Sequence, residues 1–167
     1  MRRSVPSVCA ALLVIAAASF AAAAPVPPPP PPPPPVATSS IGPIAKEHNL
    51  DLGNHSMGMR ITAPTELVGV AGQTVAVVIW FYDADGQPIR SALEGWGDAT
   101  NHLRVISRDV NPAASGEHVD FTFRVPYCAF PRRSSGRYAV EARAVLVERV
   151  GTGRVVLARQ STTFFVE

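Results

Sequence analysis

At 167 residues the chain has room for one ordinary domain, and 47% apolar against 17% charged residues is a composition that folds. Its 15 basic and 13 acidic residues leave almost no net charge, so the basic stripe that a nucleic-acid binder uses to displace counterions is missing. One of its two cysteines, Cys9, falls in a segment that reads as removable; Cys128 alone cannot staple a scaffold, and stability must come from a core.

The first segment, residues 1–23, begins with Arg2 and Arg3, continues through an apolar run from Val8 to Ala18 and ends in small residues around Ala21–Ala24. This three-part order is that of a secretory signal peptide cleaved at an A-x-A-type site. A single membrane anchor is the competing reading, but the alanine-rich content and the processing signal favour removal, leaving a chain not embedded in the membrane. A twin-arginine signal is not continued after Arg3, and Cys9 sits too early for a lipoprotein. Loss of Arg2 and Arg3 would bring the basic count to 13, equal to the acidic one.

Residues 24–40 form the second segment. Pro27–Pro35 is nine consecutive prolines, which lock φ and remove donors, so a stiff polyproline II rod of roughly 3 Å per residue is expected, followed by a short flexible stretch. No basic residues decorate it as a P-x-x-P ligand would require, and it reads as a disordered linker in front of a folded domain over 41–167.

Within that domain Ile44–Asp51 fits either a strand or an irregular lead-in. Asn54–Met59 reads as a turn and Met59–Ala63 as a short strand stopped by Pro64. Thr74–Ile89 is the organising stretch: Val75, Val77, Ile79 and Phe81 alternate with Ala76, Val78, Trp80 and Tyr82, so neither face is polar and a central strand covered on both sides is predicted. Asp83-Ala84-Asp85-Gly86 is a turn, with Gln87–Arg90 starting a return strand. Ser91–Asn101 is a loop carrying Trp96, and His102–Ile106 a short strand. Val119–Val125 alternates cleanly, with Phe121 and Phe123 inward and Asp120, Thr122 and Arg124 outward. Tyr138–Val150 is a long strand, Gly151-Thr152-Gly153 a hairpin turn, and Arg154–Arg159 and Ser161–Val166 the final strands. Cys128 is expected as a small buried residue.

No segment has a helical period. Seven or eight short strands in about 125 residues predict an all-β, antiparallel immunoglobulin-like sandwich, with a small closed barrel as the alternative. Glu47-His48-Asn49, Gly58-Met59-x-Ile61, Phe81-Tyr82-x-x-Asp85-Gly86-x-Pro88 and Val125-Pro126-Tyr127 together resemble a poorly characterised bacterial exported accessory domain. That resemblance implies the sandwich fold and carries no catalytic residue.

The chemistry-bearing residues are sparse. Asp83-x-Asp85-Gly86 opens like a calcium loop and Glu94 stands at its twelfth position, but Pro88 and the expected strand break the ligand pattern, so a structural turn is favoured. His48, His55, His102 and His118 have no zinc spacing, and no G-x-S-x-G elbow places a nucleophile. Trp96, between Gly95 and Gly97, either stacks on a ligand or caps the end of the fold. These features predict a non-enzymatic, cofactor-free module, periplasmic or secreted, that binds an envelope or extracellular protein and no nucleic acid. The alternative is a small carbohydrate- or calcium-binding module using Asp83, Asp85, Glu94 and Trp96.

Overall fold

The computed structural model describes residues 38–53, 55–133 and 136–166. The leader and the proline run lie outside the described residues, as does the Ser134-Ser135 pair of the basic turn. Along the described chain lie β1 (Ser40–Ile41), β2 (Ala45–Asp51), β3 (Met57–Leu67), β4 (Val75–Asp83), β5 (Arg104–Ile106), β6 (Glu117–Pro126), β7 (Tyr138–Val150) and β8 (Gly153–Val166), with one turn of 3-10 helix at Tyr127–Ala129.

All the pairings among these strands are antiparallel. In the first sheet β3 is central. β6 runs along one side of it over Gly58–Leu67, while β1 and β2 share the other side, against Thr65–Glu66 and Met57–Thr62. The second sheet has the order β5-β4-β7-β8. Met59 and Ile61 of β3 and Phe121 and Phe123 of β6 join Ile79 and Phe81 of β4 and Val140 and Leu146 of β7 in one core cluster, so the facing sides of both sheets make a single interior. The chain is an all-β antiparallel fold, as its pattern predicts.

Local alternation reads through directly where one face is wet. In β6 Phe121, Phe123 and Val125 are buried while Asp120, Thr122 and Arg124 are exposed. β7 has the predicted bounds. Other expectations fail for identifiable reasons. β3 does not stop at Pro64 but continues to Leu67. The Pro64 carbonyl accepts from Gly42 N–H at 2.7 Å, so its missing donor faces the break between β1 and β2, where no ladder bond is required. Gln87–Arg90 turns back antiparallel beside the end of β4, where Asp83 N–H donates to Gln87 O at 2.9 Å and Ile89 N–H to Phe81 O at 3.0 Å, but it makes only isolated bridges, Tyr82 to Pro88 and Arg90 to His102, because β5 takes the next places along β4, beside Val78–Trp80.

The second face of β4 is covered only in part. Ala76 and Val78 are buried beside Val147 of β7, with Trp80 and Val145 packed against them, whereas Trp80 and Tyr82 are half-exposed. Cys128, expected inside, is exposed on the 3-10 turn, whose buried residue is Ala129 instead. β8 is continuous through Gln160. Leu146 pairs with Ala158 and Val147 with Val156, so Leu157 is an extra residue, a β-bulge that twists this edge. Ser39, ahead of β1, is buried and both donates to Val68 O at 3.0 Å and accepts from Val68 N–H at 2.9 Å.

Candidate functional site

Asp83 ends β4 and builds the turn after it. Its Oδ1 accepts the N–H groups of Asp85 at 3.1 Å and Gln87 at 2.9 Å, and its Oδ2 accepts from Arg133 Nη2 at 3.1 Å. Gly86 supplies the left-handed residue at φ 75° that closes the turn. Asp85 and Glu94 are exposed. Among the described residues no three His, Cys, Asp or Glu side chains gather as a metal group, so the turn leaves Asp83, Asp85 and Glu94 apart.

The Gln87 N–H foremost, with help from Arg133 and the Asp85 N–H and against a smaller effect of burial, holds the Asp83 carboxyl below its ordinary value of 3.8. A depressed carboxylate stabilises the fold fully above its unfolded value and loses that contribution as pH falls through the folded one. Asp98 behaves alike, chiefly through the Thr100 hydroxyl and N–H. The melting temperature should therefore fall on acidification below pH 3.8. Asp83→Asn should melt lower at neutral pH and show a shallower acid-side slope in a calorimetric pH series; an unchanged slope would remove Asp83 from this account.

Trp96 stands in the Leu93–Gly97 turn, which Trp96 ties to β5 by accepting from Arg104 N–H at 3.0 Å. Its ring is half-buried, packs on the main core cluster, and lies with β5 and β6 where the two sheets meet. Trp96→Ala should cost about 2–3 kcal/mol, less than a fully buried aromatic. That is a fall of about 5–12 °C in melting temperature for a domain of this size.

Three features escaped the sequence pattern. First, the motifs Glu47-His48-Asn49 and Val125-Pro126-Tyr127 meet. Tyr127 Oη accepts from Asn49 N–H at 3.0 Å, donates to Asn49 Oδ1 at 3.3 Å and lies 3.1 Å from His48 Nδ1. The His48 ring stacks on Tyr127 and meets Phe164 edge-on. This is a clasp that ties β2 to the segment after β6.

Second, β8 is a long edge paired with β7 on one side. On the other, the Thr163 carbonyl accepts from Lys46 Nζ at 2.7 Å and the Ser161 N–H donates to its neighbour Gln160 Oε1 at 3.2 Å. Since N–H and C=O of one residue in an antiparallel strand point the same way, Ser161 and Thr163 present both groups away from β7. Val155, Val156 and Phe165 on this strand are about half exposed.

Third, a groove of about 780 Å³ opens on the second sheet beside Trp80 and Tyr82, bordered by Arg143, Arg154 and Arg159.

No family model and no curated protein sequence matches the chain. A protein of Arabidopsis thaliana whose structure was solved in solution superposes with a TM-score of 0.41 at 12% identity, over 80% of this chain and 82% of that one. No helix among the described residues is long and apolar enough to cross a membrane.

Proposed function

We propose that this chain is an exported, immunoglobulin-like sandwich that binds another envelope or extracellular protein by accepting a strand along β8, without catalysing a reaction. The leader and proline run read from the sequence support export and display at a distance. The observation that carries the binding mode is the β8 edge: Ser161 and Thr163 turn their main-chain groups away from β7, and they are met by only a lysine side chain and a glutamine side chain among the described residues. Such an edge is a template for β-augmentation, in which the added main chain supplies affinity and alternate side chains supply selectivity.

Proline at an outward-facing edge position removes a donor that the sheet does not use. Thr163→Pro should therefore leave the circular dichroism spectrum unchanged and the melting temperature within a few degrees, while abolishing recovery of the partner captured from envelope extract by the wild-type chain. Equal recovery by both proteins would remove β8 from the interface. Loss of the partner on deleting residues 26–37, with β8 intact, would transfer the function to the proline run; that deletion spares Ser39, which the fold uses.

A further inference from the structure

The outer face of the second sheet holds a constellation independent of the β8 main chain. Cross-strand register sets Trp80 between two arginines, Arg104 of β5 on one side and Arg143 of β7 on the other, with Ser161 of β8 beyond Arg143. Arg143 is held in place, its Nη2 2.7 Å from Glu141 Oε2 and its guanidinium 3.9 Å above the Tyr82 ring. Arg154 and Arg159 border the same groove, and neither is in an ion pair among the described residues. The groove thus sets three guanidiniums against a single carboxylate, Glu141, which Arg143 already engages. Between them lies an aromatic and aliphatic floor of Trp80, Val145, Val147 and Val156. Its volume, about 780 Å³, is that of a site for a small molecule or a few units of a polymer.

Unpaired arginines beside a tryptophan select an anion with a flat apolar face. A second copy of the chain fits poorly, because a twofold contact through this face would set arginines against arginines. An acyl chain requires enclosure, and the groove lies open along a sheet face. A nucleic acid needs a continuous basic track, which the near-neutral chain lacks. A pyranose bearing a carboxylate matches each element: one C–H face for the indole, hydroxyls for Gln160 and Ser161, a charge for the arginines, and a second face left in water.

We propose that this groove binds an acidic glycan, with Trp80 stacked on a uronate ring and Arg154 and Arg159 paired with its carboxylates. The chain has two tryptophans, so Trp96→Phe leaves Trp80 as the one emitting indole. Titrating that protein with oligogalacturonate should change the emission saturably. Arg154→Gln with Arg159→Gln, both at exposed positions, should weaken binding roughly tenfold or more, as expected for losing two charge-assisted contacts. The methyl-esterified oligomer, which keeps the rings and loses the charge, should bind as weakly to the parent protein.

Equal binding of acid and ester, or an undiminished double variant, would overturn the proposal. So would the absence of any saturable signal. Hexaglutamate or hexathymidylate binding as tightly, with the same dependence on the two arginines, would replace the glycan by an acidic peptide or a nucleic acid. Thr163→Pro should bind the oligomer normally, which separates this site from strand addition at β8.

Discussion

Phe81→Ala should be the most damaging truncation in the core, costing about 3–5 kcal/mol. Phe81 is fully buried on the inner face of β4 and is met edge-on by Phe130 at 5.2 Å and Phe164 at 6.3 Å between ring centroids. Those two rings come from the segment after the 3-10 turn and from β8, and they also meet each other edge-on. Removing Phe81 therefore opens a cavity beside two rings drawn from distant parts of the chain, which a rigid sheet refills poorly. For a domain of this size the melting temperature should fall by about 10–20 °C. Phe81→Leu, which keeps most of the volume, should lose less than half as much. Comparable losses for the two substitutions would mean that the site relaxes around the cavity and that the aromatic cluster is not what holds this end of the core.

Gly58→Ala should cost about 3 kcal/mol, although it adds one methyl group. Gly58 pairs with Pro126 across β3 and β6 and is buried. A Cβ there would meet Val125 O and Leu52 Cδ1 and stand 2.9 Å from Pro126 Cα, so two of its three nearest neighbours are main-chain atoms that cannot turn away. Relief requires β6 to draw back from β3 at the end that carries Tyr127 and the clasp with His48 and Asn49. A urea titration should show a lower midpoint for Gly58→Ala. The comparison is Gly153→Ala, where the nearest atom is Val150 O at 3.5 Å and φ is not positive; that midpoint should barely move. If the two variants behaved alike, close approach of β3 and β6 at Gly58 would not matter to stability.

Both effects arise at residues whose types were plain in the sequence and whose consequences were not. Phe81 stood out as a buried strand residue, but nothing local named Phe130 and Phe164 as its neighbours. Gly58 read as part of a turn because glycine near Asn54 is ordinary turn chemistry, whereas the structure uses it for backbone contact inside a strand. The same distinction runs through the candidate sites. The Asp83–Gly86 turn was legible because an Asx turn is made within five residues, and Asp83 does bond to Asp85 and Gln87. Trp96 was legible as a loop aromatic, whereas its nearness to β5 and β6 was not.

What the sequence determined by itself is the all-β antiparallel class, the inward and outward sides of β6, the bounds of β7 and the acidic turn after β4. These follow from a two-residue period and from side chains that bond to near backbone, and both are local properties of the chain. Tertiary structure alone decided which strands are neighbours. It let β3 run through Pro64 because β1 and β2 break opposite it, and it set β5 and β7 on either side of β4, leaving Gln87–Arg90 only the last residues of that strand to meet. It left β8 at the edge of its sheet, and it set Trp80 among arginines from three other strands. Strand partners are residues far apart in the chain, as Val75 of β4 and Glu148 of β7 are, and no local period encodes that choice.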